Sequence, residues 1–246
     1  AQWLADQLVE SGVNRGAADW LNLLWYDSTV EPVAPSSGLP TQRHFEDMGI
    51  VSMRSDWSGG GSLVVYKCGP HVGHKVKKEY SYDPGAGHAH PDAGHFIVFG
   101  AGEWLIRDDG YQDKWTGQHN TLLVDGKGQV GEGDTWFHGG RAMALKTPST
   151  ISRFRPGEKF DLIVSQVAPA YPPGAKLQLF ERRLIFLKPD ALIVLDRIRL
   201  AEPADLELRF HTEHPVKAPG ENRFTAVGRK AKLRVELLTP DRKSVV

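Results

Sequence analysis

The sequence predicts a mainly β protein, a large antiparallel sandwich of two sheets with a short helical segment before it. From Gly49 onward, short segments alternate apolar and polar residues or run apolar, which is the pattern of strands. Turn-forming dipeptides such as Ala101-Gly102 and Asp125-Gly126 separate these segments. No helical pattern between them is long enough for the crossover that joins parallel strands. Neighbouring strands are therefore expected to be antiparallel.

The N-terminal stretch has a different period. Apolar residues around Trp3 and Trp20, on either side of the break from Gly12 to Gly16, predict two short helices that are too apolar to be stable alone. At the other end a predicted strand runs into TPDRKSVV without a closing turn, so we expect a piece of a longer protein. A Pro- and Ser-rich linker follows the helices. The predicted division is helices and linker in residues 1–35 and the β domain in 36–246.

At least ten strands are predicted in the β domain. In chain order they lie in the segments IVSMRSDW, SLVVYKC, HFIVFG, EWLIR, NTLLVDG, DLIVSQV, LQLFERRLIFL, ALIVLDRI, DLELRF and KLRVELL.

Composition excludes several classes of protein. Thirty basic residues balance thirty acidic ones, so no overall field favours nucleic acid or an anionic membrane. No segment has the ~20 apolar residues that cross a bilayer. Cys68 is the single cysteine, which excludes an internal disulfide and a thiolate zinc cluster, and we expect it in the apolar core.

Histidines are concentrated in one part of the chain. Six of the ten lie between residues 71 and 119. His88 and His90 are two positions apart, so in an extended segment they point to opposite sides. This spacing indicates that one imidazole binds a metal while its neighbour faces a substrate cleft.

A carboxylate and a further imidazole follow at strand ends. Asp108 comes eighteen residues after His90, behind the strand EWLIR, and His119 eleven residues later, before the strand NTLLVDG. Two imidazoles and a carboxylate are a common zinc shell, whereas Ca²⁺ and Mn²⁺ are alternatives that favour oxygen ligands. Separate surface residues beside turns would give the same spacing, so that alternative stays open.

Two longer motifs carry a family resemblance. The run GHAHPDAGHFIVFGAGEWLIRDDGY, followed by QHNTLLVDGKGQ, resembles the heparinase II/III-like polysaccharide lyases, including alginate lyases of similar build, over roughly residues 45 to 215. Members of that family pair an N-terminal α/α toroid with a C-terminal antiparallel β-sandwich, and the substrate lies in the cleft between them. The resemblance implies that the N-terminal helices here are the last helices of such a toroid.

The resemblance also implies roles for individual residues. It assigns His88 to the catalytic cleft and His90, Asp108 and His119 to one divalent metal, most simply Zn²⁺. Tyr111 is a second catalytic candidate, although its spacing is shorter than in the family and Tyr80 and Tyr82 compete for the role. The basic residues expected to contact a polyanion are Lys75, Lys77 and Lys78.

The implied reaction is β-elimination on an acidic polysaccharide. A base removes the proton beside the uronate carboxylate, the 4-linked oxygen leaves, and charge on the enolate-like transition state must be stabilised. In the family most of these groups come from the toroid, so the resemblance implies that this chain alone is nearly inactive. The implied partners are the polysaccharide and the toroid of the same longer chain, a homodimer is left open, and the implied location is periplasmic or secreted.

Two other functions remain open from the sequence. One is a non-catalytic carbohydrate-binding or structural sandwich. The other is a metal-dependent glycan hydrolase, in which Asp92 or Asp109 serves as base. The remaining candidates have both a functional and a structural interpretation, and the structural one is favoured for each. His95 either alters the pocket or is a hydrogen-bonded histidine at a strand start, and His211 and His214 are either a second metal pair or structural. Trp104, Trp115 and Trp136 either stack on sugars or pack in the core or loops.

Overall fold

The computed structural model describes residues 27, 29–31, 33–79, 88–108, 110–111, 114–133, 148–220 and 222–238. Within these residues the protein is mainly β, as the sequence predicts, with fourteen strands and one short α-helix, α1 (His74–Glu79). The strands are β1 (Gln42–Phe45), β2 (Ile50–Arg54), β3 (Leu63–Lys67), β4 (His95–Gly100), β5 (Glu103–Ile106), β6 (Leu122–Val124), β7 (Thr150–Arg155), β8 (Phe160–Gln166), β9 (Leu177–Leu187), β10 (Ala191–Leu200), β11 (Leu206–Leu208), β12 (Val216–Gly220), β13 (Arg223–Val227) and β14 (Lys232–Glu236).

The strands form two large and two small sheets. The first large sheet has five strands in the order β1-β2-β3-β4-β5, and the second has four in the order β10-β9-β8-β7. The small sheets are the pair β11-β6 and the three-stranded β12-β13-β14. Every strand pairing described is antiparallel, so the predicted architecture is confirmed.

One apolar core lies between the inner faces of the two large sheets. Met53 and Tyr66 of the five-stranded sheet and Leu184 and Phe186 of the four-stranded sheet are all buried in the same cluster. Alternation in β2 and β3 places every second side chain in this core. Each fully buried apolar side chain of this size contributes about 1.5–3 kcal/mol, so the pattern that predicts the strands also stabilises the sandwich.

Two of the predicted turns need left-handed backbone. Ala101 and Gly102, between β4 and β5, have φ of 50° and 84°, and Asp125 and Gly126, just after β6, have φ of 50° and 70°. Positive φ at both central residues suits the right-handed twist of a hairpin, and Gly and Asp tolerate it best. Local turn chemistry thus determines where two of the strands next to the candidate site end.

Parts of the sequence prediction lie outside the described residues. The N-terminal helices predicted before residue 26 are among them, so that prediction is not tested. The chain divides into units 1–40 and 41–246, and the boundary predicted between residues 35 and 36 stays a prediction. Among the described residues no helix is both long and apolar enough to cross a bilayer.

Candidate metal centre

Four titratable side chains converge where β4, β5 and β6 begin or end. His90 lies in the loop before β4, and His95 is the first residue of that strand. Asp108 follows β5 by two residues, and His119 follows a 3₁₀ turn, Thr116–Gln118, that leads into β6. All three histidines are buried and Asp108 is half-buried. We call these four residues the histidine cluster.

Three members of the cluster have the spacing of a metal site. One ligand atom from each of His95, Asp108 and His119 lies within 4.8 Å of the other two. Asp108 Oδ2 is 3.5 Å from His119 Nδ1 and 3.6 Å from His95 Nε2. A single cation between these atoms would be held by two imidazoles and a carboxylate, the composition that favours zinc.

His90 approaches the same imidazole from its other side. His90 Nδ1 lies 3.2 Å from His119 Nε2. Two nitrogens at 2.0–2.1 Å from a tetrahedral zinc are about 3.3 Å apart, so this separation also fits a pair of ligands. However, His90 and Asp108 face different nitrogens of His119, and one imidazole binds a cation through one nitrogen. His90, Asp108 and His119 therefore lie close together. In the observed orientation, His119 can share an ion with His90 through Nε2 or with Asp108 through Nδ1. One ion can bind all three residues only if the His119 ring rotates.

Hydrogen bonding indicates which tautomer His95 adopts. The backbone N–H of Asn120 donates to His95 Nδ1 at 2.9 Å, so Nδ1 carries a lone pair. The hydrogen of the neutral ring is then on Nε2, the atom that faces Asp108. A metal-binding histidine has the opposite arrangement, in which the second nitrogen donates to an acceptor. His95 is thus arranged to support Asp108 rather than to bind a cation through Nε2.

Electrostatics favour the metal-binding protonation states of His90, His95 and Asp108. Burial lowers the pKa of His90, and the neighbouring His119 lowers it further. Burial also lowers the pKa of His95 to about 3. For Asp108 burial opposes ionisation, but its contacts with His119 and His95 hold its pKa below the usual value. Neutral imidazoles beside a carboxylate are the forms that coordinate a cation.

A buried polar atom gives an independent test of whether a metal fits. Within the described part of the chain, His119 Nδ1 is buried without a partner in hydrogen-bond geometry. Such an atom is costly unless something occupies the space beside it. A cation bound between His119 and Asp108 would give His119 Nδ1 a partner. The types of ligand atom and this buried nitrogen therefore both fit a divalent metal.

Residues next to His119 hold the cluster's loops in place. The Asn120 side chain donates to Phe96 O of β4 at 2.8 Å and accepts from the backbone of His211 at 2.6 Å. The Thr121 hydroxyl donates to Ala93 O at 3.0 Å. These contacts explain the His-Asn-Thr order: the histidine faces the cluster while its two neighbours bind backbone on both sides of it.

Arg182 supports the cluster from the opposite sheet. Its side chain is fully buried on β9 and forms a bidentate pair with Asp196 at 2.8 and 2.7 Å. Its Nη1 donates to Gly94 O at 2.7 Å and to Asn120 O at 2.8 Å. Gly94 precedes His95 and Asn120 follows His119, so one guanidinium fixes the backbone beside two members of the cluster.

The two predicted catalytic residues lie next to each other. The Tyr111 hydroxyl and His88 Nδ1 are hydrogen-bond partners, and their rings stack with centroids 5.5 Å apart. Both side chains are exposed, and the Tyr111 ring is 6.3 Å from that of His90. A solvent-accessible tyrosine and histidine therefore border the buried cluster, and the Tyr111 ring contacts both His88 and His90.

The other predicted candidates are more dispersed. Lys75, Lys77 and Lys78 share helix α1, where Asp47 accepts from the backbone of Lys75 at 2.8 Å.

Two distant histidines each have a backbone carbonyl partner, at 3.0 Å for His211 and 2.8 Å for His214. Trp104 packs edge-on against Phe99, Trp115 is exposed, and Trp136 lies outside the described residues, as do Tyr80, Tyr82 and Asp109.

Comparison with a family model identifies the chain. A model described as heparinase II/III-like, C-terminal, matches residues 37–243. The chain belongs to the heparinase II/III-like C-terminal family. The match extends the predicted resemblance in both directions and confirms it.

Solved structures show the same fold at low identity. A mutant of heparan sulfate lyase from Pedobacter heparinus is 21% identical with a TM-score of 0.63, covering 83% of this chain and 30% of that one. A heparinase III is 17% identical with a TM-score of 0.62, covering 83% and 30%. A further heparinase III is 14% identical with a TM-score of 0.54, covering 76% and 28%. This chain thus spans about 30% of the length of these lyases.

Two residues at or beside the histidine cluster were not predicted as site residues. His95 has the hydrogen bond predicted for a histidine at a strand start and also contacts Asp108. Arg182, in the strand LQLFERRLIFL, was not predicted to have any role. A signal existed, because alternation places Arg182 on the inward face between Phe180 and Leu184. A charged residue at a core position requires a buried partner.

Proposed function

We propose that this chain is the metal-bearing β domain of a lyase that cleaves a uronate-containing polysaccharide by β-elimination. The observation that carries the proposal is the exposed His88–Tyr111 pair bordering a buried cluster of metal-ligand type. A proton-transferring pair beside a fixed positive charge is what elimination next to a carboxylate requires. The membership of a lyase family supports the same conclusion.

The proposed elimination consumes no water. A base takes the proton on the carbon beside the uronate carboxylate, the carbon–carbon double bond forms, and the 4-linked oxygen leaves with a proton. The Tyr111 hydroxyl and His88 Nδ1 share a hydrogen, so the pair can give or accept one proton at the cleft surface. A lyase of this kind therefore produces an unsaturated uronate, whereas a hydrolase does not.

The proposed cation is Zn²⁺, held by His90, Asp108 and His119. His95 then faces Asp108 through its Nε2–H, 3.6 Å from Oδ2, and does not bind the ion itself, as its tautomer indicates. When bound, the metal supplies positive charge and ties together the loops before β4, after β5 and before β6. The alternative shell replaces His90 by His95, and it is supported by the close spacing of His95, Asp108 and His119.

The substrate and location proposed are those implied by the resemblance. The ligand is an acidic polysaccharide bound in a cleft that this domain shares with an α/α toroid of the same longer chain, and Lys75, Lys77 and Lys78 contribute basic charge. By itself this domain is expected to be nearly inactive. The proposed location is periplasmic or secreted.

The hydrolase alternative is less well supported. Asp92, one of its two candidate bases, forms an ion pair with Lys67 at 2.6 Å. Burial opposes its ionisation, but Lys67 and nearby histidines hold its pKa well below the usual range. A carboxylate with so low a pKa is a weak base near neutral pH. A non-catalytic binding module would have no use for the exposed His88–Tyr111 pair.

Product chemistry tests the proposal. The longer enzyme that contains this chain, incubated with heparan sulfate, alginate and hyaluronan in turn, should release products with the ultraviolet absorbance of an unsaturated uronate from at least one of them. His88→Ala and Tyr111→Phe should each lower kcat by about 10²–10⁴-fold, the usual contribution of a proton-transferring group.

Trp115→Phe, another exposed aromatic close in sequence, serves as the matched control and should keep most of the activity. Reducing sugar without ultraviolet absorbance would identify a hydrolase. No product from any of the three polymers, with binding retained, would favour the non-catalytic module.

A further inference from the structure

The outer face of the four-stranded sheet combines arginines with exposed apolar side chains, among them Phe160, Ile193 and Leu195. Residues that pair directly across an antiparallel sheet share a face. The register pairs Arg153 with Val164, Val164 with Arg183 and Arg183 with Leu195, so these four lie in one row from β7 to β10. Adding the neighbouring rows gives five exposed arginines and one glutamate on the outer face: Arg153, Arg155, Arg183, Arg197, Arg199 and Glu181. We call this surface the arginine face.

The positive charge of this face is only partly neutralised. Glu181 pairs with Arg183 at 2.7 Å, and its pKa is lowered mainly by that contact. No carboxylate among the described residues forms a salt bridge with the other four arginines of the face. A chain with thirty basic and thirty acidic residues thus has a local excess of positive charge on one sheet surface.

Apolar side chains lie between the arginines. Val164 separates Arg153 from Arg183 along their row, and Leu195, which is 48% exposed, follows Arg183. Neighbouring strands are 4.7–4.9 Å apart, so the two arginines are about 10 Å apart across the sheet. A long, flat ligand with regularly spaced anionic groups and apolar ring faces between them would match this alternation.

We propose that the arginine face binds an acidic polysaccharide at a site separate from the His88–Tyr111 pair. Guanidinium groups bind carboxylate and sulfate bidentately, which suits a uronate-containing polymer. The choice of a uronate-containing polymer rests on the function proposed above. The positions of the arginines do not depend on that proposal. The face would hold the polymer while another part of the same chain is processed, which raises affinity through a second point of attachment.

Two other occupants fit the face less well. A second copy related by two-fold symmetry would bring this patch against itself, so arginine would oppose arginine with one glutamate per copy to offset it. Single-stranded nucleic acid is usually bound by several aromatic residues on which successive bases stack, and on the outer face of β7 to β10 the exposed aromatic residue is Phe160 alone.

The test compares two triple variants with equal loss of charge. Arg153→Gln, Arg183→Gln and Arg197→Gln together remove three charges from the arginine face. The control replaces the exposed Arg223, Arg229 and Arg234, outside the four-stranded sheet, by Gln. Binding to heparin, a sulfated uronate polymer, is measured by calorimetry at low and at moderate salt, with neutral dextran as the blank, and thermal melts check that both variants fold.

The face variant should bind heparin at least tenfold more weakly than the unmodified protein, and the control should change less than threefold. Equal losses in both variants, or no loss in either, would overturn the proposal. So would a dimer of the unmodified protein that the face variant alone converts to a monomer. Turnover is assayed separately on heparan sulfate, alginate and hyaluronan. Heparin binding that depends on the face, with no unsaturated product from any of these polymers, would reject the lyase proposal and leave this one standing.

Discussion

His119 is the residue on which the candidate site depends, because its two ring nitrogens contact different neighbours. Nε2 faces His90 and Nδ1 faces Asp108. His95 reaches the same carboxylate through Nε2, while its Nδ1 accepts from the backbone. A site containing His90, Asp108 and His119 was predicted from the sequence. The contact of His95 with Asp108 was not, because β4 and β5 are joined by a bulged pairing that no sequence pattern indicates.

The roles of His90 and His95 can be separated by one substitution made at both sites. Glutamine keeps a donor and an acceptor but is a poor zinc ligand, so His90→Gln should raise the Kd for Zn²⁺ by more than about 100-fold. His95→Gln should raise it by about tenfold or less, since glutamine can still accept from Asn120 and donate to Asp108. Competition against a chelating dye measures both constants.

The reverse ranking would show that His95 is the ligand and His90 is not. Equal and complete loss of zinc in both variants would indicate a shell that contains both histidines. Neither result depends on turnover, so the assignment does not require an active enzyme.

At the scale of elements, the strand prediction was right where burial determines the pattern and incomplete where it does not. All ten predicted segments contain a strand. Four strands were missed, namely β1, β7, β12 and β13. β7 has a register irregularity between Ile151 and Arg153 that interrupts its alternation, and β12 has one between Lys217 and Gly220. A bulge shifts the side-chain period by one residue, which hides a strand from pattern analysis.

Strand β9 links the core to the candidate site through Arg182. Burial opposes its charge, but Asp196 raises its pKa, so the ion pair stays intact in the core. Arg182→Met should destabilise the protein by about 3–5 kcal/mol, because Asp196 is left buried without its partner. It should also weaken zinc binding, since the carbonyls of Gly94 and Asn120 lose their shared donor. Urea unfolding with a chelator present and zinc titration measure the two effects.

Arg183→Met is the matched control, because the next residue along β9 points to the opposite face and is 49% exposed. It should change the free energy of unfolding by no more than about 0.5 kcal/mol and leave zinc affinity unchanged. If Arg182→Met lost stability but bound zinc normally under folded conditions, the arginine would only support the core.

At the scale of the whole molecule, the chain combines a β-sandwich with two surfaces of different character. One is the border of the histidine cluster, where His88 and Tyr111 are exposed. The other is the arginine face on the outer side of the four-stranded sheet. The fold class was predictable because alternation and turn residues act locally. The arginine face was not, because it includes Arg153 and Arg155 of β7, a strand whose alternation is interrupted by a register irregularity.

Anomalous diffraction can test the claim that the histidine cluster binds one divalent cation. Crystals of the protein equilibrated with Zn²⁺, measured on both sides of the zinc absorption edge, should contain one strong peak per chain within bonding distance of His119 and Asp108. His119→Ala should remove that peak and the corresponding zinc in elemental analysis. Crystals without such a peak, or with zinc bound elsewhere and unaffected by His119→Ala, would contradict the claim.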